Sequence, residues 1–309
     1  VDKDKLAVMI NNWRHLWTIY QKAEEKNEPL QVAIVIGGPP SVILQGGMPW
    51  PLVPLEEDEL NVAGGLMGQP LEVVKCETLD LEIPAHSEIV LEGEMPPKIR
   101  EEEGPFADYA FVYDALLTKR LTPIIKIKAI THREKPIYYD ILPAGMDHLL
   151  IGGLPREAEI FSSLKKTNLD VRKVHLTEGS KCRFHVIIQI KKKSEVDGKN
   201  AILASFYPTE SARDLKLVVV VDDDIDPFDL KDVEWALSTR VQYNKDIIII
   251  EGSGGALDPS AIISTPEKIF RPPKDLKSFP AVISSKLGID ATISFEKPEM
   301  RGIFQKPDI

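Results

Sequence analysis

Cysteine is nearly missing from this chain. Only Cys76 and Cys182 occur among 309 residues, too few and too far apart for a disulfide framework or for paired zinc ligands. Surplus positive charge is missing too. Lys and Arg number 38 against 48 Asp and Glu, a net charge of −10, which argues against a protein built to neutralise a nucleic-acid backbone. Long apolar runs are also lacking. The longest are LVVVV from Leu217 and IIII from Ile247, far short of the roughly 20 residues that cross a bilayer, so both read as buried strands. The first residues, VDKDKLAVMINNW, hold neither the apolar centre nor the small-residue cleavage site of a secretory leader. A reduced, cytoplasmic globular protein is the expectation. Because the chain opens on Val1 rather than Met, a longer parent chain is expected as well.

What is present can build a core: 43% of residues are hydrophobic and 28% charged, enough for one large or two medium domains. Residues 4–26 carry Leu6, Ile10, Trp13, Trp17 and Tyr20 at helical spacing, which predicts one amphipathic helix. A strand, QVAIVIGG, then runs into the turn signal Gly37-Gly38-Pro39-Pro40. LEVVKCE, SEIVLEGEM, YAFVYDALL, TPIIKIKAITHR and PIYYDIL predict a mostly β domain, barrel or sandwich, to about residue 147. Beyond it, REAEIFSSLKKT and KNAILASF predict helices among the strands RFHVIIQIKKK, LKLVVVV and KDIIIIEG. A further helix is expected to start near Asp226-Pro227. This alternation predicts an α/β layer domain with a partly parallel sheet. The Pro-rich tail after Gly252 is expected to wrap a surface.

Several stretches could carry chemistry. GGPP at 37–40 follows a strand as phosphate loops do, yet matches neither nucleotide-binding pattern, so a tight turn is the better reading. Asp222, Asp223, Asp224 and Asp226 could hold Mg²⁺, but acids ahead of a helix also serve its dipole, the preferred explanation. His15, off the main apolar stripe, reads as exposed, and six scattered histidines give no zinc-binding spacing. Glu56 to Glu59 form an acidic run of the kind that is usually solvated. REEEGPFADYAF, residues 100–111, is more pointed. Gly104-Pro105 resists helix formation and fixes Glu103 relative to Asp108 among Phe106, Tyr109 and Phe111. Burial raises a carboxyl's pKa, which makes a general acid usable near neutral pH. A plain surface turn fits the composition equally well.

The segment from MPWPLVPLEEDEL through VKCETLDLEIPAHSEIVLEGEM to EEEGPFADY resembles the UbiD family of prenylated-flavin decarboxylases. The resemblance continues through TEGSKCRFHVIIQIKKK and VDDDIDPFDLKDVEWALSTR to SSKLGIDAT, nearly the whole chain. It implies a mixed α+β fold: a split β-barrel flavin-binding domain over 1–147, N-terminally incomplete, then an α/β oligomerisation domain over 148–309. It implies reversible, non-oxidative decarboxylation of an aromatic or α,β-unsaturated carboxylic acid. The implied cofactor is prenylated FMN, which a flavin prenyltransferase would supply; its phosphate would be anchored by Mn²⁺ or Mg²⁺, with K⁺ nearby. By position, Glu59 and His15 match the metal and cofactor ligands. Glu103 matches the first catalytic acid, and Asp108 the second, the proton donor.

The family's remaining groups, the Asn and Arg of an N-x-x-x-x-R segment, would fall just before Val1. The resemblance therefore implies that an upstream segment or a separate subunit carrying the N-terminal domain completes the site. A homo-oligomer, dimer or hexamer, is also expected. The competing expectation is a non-catalytic assembly or scaffold homologue of the same fold.

Overall fold

The computed structural model describes all residues except 1, 11–13, 50–51, 105–119, 208, 254–256, 264–281, 296–301 and 305–309. The chain divides into two compact units, one built from the elements before residue 145 and the other from those after it.

The first unit is an antiparallel sheet with short helices. Its strands are β1 (Lys5–Ala7), β2 (Leu30–Ile36), β5 (Ile89–Met95), β6 (Arg100–Glu103) and β7 (Arg120–His132), ordered β1-β7-β5-β2 with β6 also on β7. β3 (Val73–Lys75) and β4 (Glu82–Pro84) make a separate hairpin. The helices are α1 (His15–Lys26), α2 (Pro40–Gly46) and α3 (Glu59–Met67). The expected single helix over 4–26 is thus corrected. Leu6 lies in β1, paired with Ile125 of β7, because an open ladder edge competes successfully with local helical spacing for so short a segment. PIYYDIL is not a strand either; Ile137 and Leu142 are mostly exposed, so the segment has no sheet to join. YAFVYDALL lies outside the described residues.

Tyr20 locks α1 to the sheet. Fully buried with Met95 and Ile125, its hydroxyl donates to the Pro96 carbonyl at 2.8 Å and accepts from Arg100 Nη1 at 2.8 Å. Arg100 Nη2 also donates to Glu24 Oε2 at 3.0 Å. Burial pushes the Tyr20 phenol up to about 12, so it remains a donor. This network fastens the helix that begins at His15 to the strand that ends at Glu103.

The second unit is a layered α/β fold. β8 (Val171–Leu176), β9 (His185–Ile190), β10 (Leu217–Asp222), β11 (Ile247–Ser253), β12 (Ile262–Ile263) and β13 (Val282–Ala291) are ordered β11-β13-β10-β9-β8, with β12 on β13. β9, β10 and β13 run parallel, while β8 and β11 are antiparallel to their neighbours. The LVVVV run explains the centre. Val218 and Val220 pack on one face with Leu149, Ile160 and Ile202, whereas Val219 and Val221 pack on the other with Val233 and Ala236. A strand covered on both faces needs continuous aliphatic sequence. α4 (Met146–Lys165) and α5 (Asp197–Ser205) supply the first layer and α7 (Leu230–Arg240) the second. α6 (Glu210–Asp214) precedes β10.

Two expectations change here. The tail does not simply wrap a surface, since β13 enters the sheet between β10 and β11. Its buried Lys286 donates to the Ala212, Arg213 and Leu215 carbonyls, which satisfies an ammonium that burial holds down at about 8. The last helix begins at Leu230 rather than at Pro227, because Asp229 caps it through Lys231 N.

Candidate functional site

In the first unit, the N-termini of α1 and α3 meet beside the end of α2. α1 starts at His15, and α3 starts at Glu59 behind Asp58, whose side chain accepts from Leu60 N at 2.9 Å. This places His15 Nδ1 2.9 Å from Glu59 Oε1. The two line a cleft of about 160 Å³ together with Arg14, Gln45, Met48 and Val53. The His15 side chain is only 16% exposed and Glu59 is 48% exposed. The expectation of an exposed His15 is therefore corrected: docking of α1 on the sheet carries it inward. Glu59 separates from the rest of its acidic run by turning into the cleft.

An imidazole nitrogen and a carboxylate oxygen 2.9 Å apart suit a divalent ion. Adjacent ligands of an octahedral ion bonded at 2.0–2.1 Å stand about 3 Å apart, and a mixed nitrogen and oxygen set without sulfur suits Mn²⁺ or Mg²⁺. Two helix N-termini beside the pair favour an anion such as a phosphate. Among the described residues no group of three or more His, Cys, Asp or Glu gathers around a metal-sized space, so these two side chains would hold an ion only with further ligands.

Glu103 ends β6, paired in register with Arg120 of β7, and is half-buried. Gly104 follows with φ +85°, a left-handed turn that glycine takes without strain. Asp108 lies outside the described residues. Of the four residues expected at the site, the fold brings His15 and Glu59 together and sets Glu103 at a strand end.

The other candidates resolve differently. At GGPP, Gly37 turns the chain with φ +73° and α2 begins at Pro40. The Asp222–Asp226 run neither caps α7 nor forms an open metal site. Arg240 Nη2 donates to Asp224 Oδ2 at 2.6 Å and Nη1 to Asp222 Oδ2 at 3.3 Å, while Lys173 Nζ lies 3.3 Å from Asp226 Oδ1.

Sequence reading missed Arg14. Its Nη1 donates to the Met48 carbonyl at 2.7 Å and fastens the segment after α2 to the start of α1. Its one signal was its place beside His15.

Residues 1–146 match the model of the 3-octaprenyl-4-hydroxybenzoate carboxy-lyase Rift-related domain, and residues 149–291 match that of the same enzyme's C-terminal domain. The chain belongs to the UbiD family. An anhydromevalonate phosphate decarboxylase of Methanothermobacter thermautotrophicus is 40% identical over 97% of this chain and 64% of its own length. A gallate decarboxylase of Lactiplantibacillus plantarum is 31% identical over 96% of this chain and 60% of its own. The UbiD-class enzyme HmfF of Pelotomaculum thermopropionicum, solved with FMN, superposes with a TM-score of 0.85 at 41% identity. That match covers 99% of this chain and 62% of HmfF. This chain thus spans less than two thirds of the UbiD relatives it matches.

Proposed function

We propose that this chain is the metal-anchoring and proton-donating portion of a UbiD-type decarboxylase acting on an aromatic or α,β-unsaturated carboxylic acid. The observation that carries the reading is the His15–Glu59 pair, 2.9 Å apart in a cleft at two helix N-termini. His15 Nδ1 and Glu59 Oε1 would hold Mn²⁺ or Mg²⁺, and the ion and the helix ends would seat the phosphate of prenylated FMN, with K⁺ nearby. When bound, prenylated FMN supplies the electron sink that lets the carboxyl carbon leave as CO₂.

The chain's own groups do the rest. The bond between the carboxyl carbon and its neighbour breaks, and the electron pair remains on that neighbour. Asp108 donates its proton there, and the reverse direction returns the proton to Asp108. Glu103, five residues before it in the sequence, would position Asp108. An Asn and an Arg from an upstream segment or a separate subunit would complete the ligands and clamp the substrate carboxylate by paired hydrogen bonds. A homo-oligomer, a cytoplasmic setting and a flavin prenyltransferase as cofactor supplier belong to the same reading.

The test is hydrogen–deuterium exchange at the product carbon, followed by NMR in D₂O with the completed enzyme, prenylated FMN and Mn²⁺. Asp108→Asn is expected to abolish exchange while cofactor absorbance is retained. Unchanged exchange removes Asp108 as donor. Absence of both exchange and cofactor binding in the completed wild type favours the scaffold reading.

A further inference from the structure

β6, the strand that ends at Glu103, has a weak start. Its first residue, Arg100, stands opposite Pro123 of β7, which has no N–H to give the ladder. Just before it, Lys98 takes φ +61°, a left-handed conformation that a residue with a side chain keeps only where its surroundings hold it. α1 does the holding. The Glu24 carboxylate accepts from Lys98 N at 2.6 Å and from Arg100 Nη2 at 3.0 Å, and its Oε1 stands 2.9 Å from Arg100 Nη1. The Tyr20 hydroxyl accepts from the same Nη1 at 2.8 Å. Arg100 and Glu24 are only 19% and 16% exposed, and a sheltered, forked pair fixes geometry as well as charge. Lys5 grips the same strand from β1, donating to Glu101 Oε1 at 3.0 Å, without reaching α1.

We propose that Arg100 is a positioning residue that makes α1 and β6 move as one body, so that an ion fixing His15 at the head of α1 also fixes Glu103 at the end of β6. This coupling rests on the metal pair of the proposed function. His15 and Glu24 lie nine residues apart on one helix, about 14 Å at the usual rise, and a helix of that length transmits a displacement rather than absorbing it. Pinned at its head by the ion and gripped further along by the fork, α1 leaves the start of β6 no opening of its own. The acid at the far end of the strand is then in place only when the metal is.

Amide hydrogen exchange read by mass spectrometry tests this on the completed enzyme, with Mn²⁺ and prenylated FMN as the probe and uptake followed by the Mn²⁺ resonance. In wild type, the probe should slow exchange in the peptide from Ile99 to Gly104 by about fivefold or more, the lower end of typical coupling between sites. In Arg100→Met and Glu24→Gln the ion should still bind, while that slowing disappears. Glu24→Gln keeps the side-chain length and the Tyr20 contact of Arg100, and so serves where Arg100→Met fails to fold. In Lys5→Met the peptide should exchange faster throughout, yet still slow on addition of Mn²⁺; a merely structural clamp would make the Lys5 and Arg100 variants alike. Mn²⁺ that binds wild type without slowing this peptide, or slowing that survives both Arg100→Met and Glu24→Gln, overturns the coupling and leaves the metal pair standing. A wild type that takes up no Mn²⁺ overturns the metal pair, and the coupling with it.

Discussion

At the end of β10, Asp222 and Asp224 converge on one guanidinium; at the start of α3, Glu59 meets an imidazole. The first cluster closes on itself. Arg240 is fully buried and bonded to both carboxylates, and its Nη2 also donates to the Phe304 carbonyl. The second lies in a cleft, its carboxylate half-exposed and its partner a histidine that can ligate as well as donate. Acid clusters countered internally by arginine serve the fold. An acid set beside a histidine at helix N-termini is placed where a bound ion would need it.

The largest effects should separate the two clusters. Arg240→Met leaves Asp222 buried without its cation and should cost about 3 kcal/mol or more in chemical denaturation. Glu59→Gln should change stability by less than about 1 kcal/mol, as for an exposed pair. Comparable losses in the two variants would erase the distinction.

A smaller effect lies with His185, at the start of β9. Burial, with a lesser contribution from the charge of His175, holds its imidazole down at about 4. A depressed histidine is neutral when folded, so its contribution is intact above the ordinary value near 6.5 and is lost as pH falls from there toward 4. The stability margin of wild type over His185→Gln should therefore narrow across that window and stay flat above it. A margin that widens on acidification would show that the folded state prefers the protonated ring.

Much of this architecture is legible in the sequence where burial is two-sided. LVVVV announces a central strand because both its faces meet aliphatic layers. β13 is hidden because its burial is partly polar: Lys286 and Asp290 are buried but satisfied by hydrogen bonds, which hydropathy cannot register. α4 begins well before the expected helix because Gly152, Gly153 and Pro155 read as breakers. Yet Pro155 lies inside the helix, and a Cβ at Gly153 would collide with Cys182. The His15–Glu59 pair has no local signature at all. Its members come from the ends of two different helices, and only the family resemblance brought them together in advance. Asp108 was named from its motif and stands outside the described residues.

Under the proposed function, His15 and Glu59 would hold the metal that seats the cofactor. Pulsed electron paramagnetic resonance of Mn²⁺ bound to the chain with prenylated FMN tests it most directly. The expected result is ¹⁴N modulation from one imidazole, lost in His15→Ala and kept in His86→Ala, together with coupling to the cofactor ³¹P. Bound Mn²⁺ whose ¹⁴N signal survives His15→Ala would contradict it.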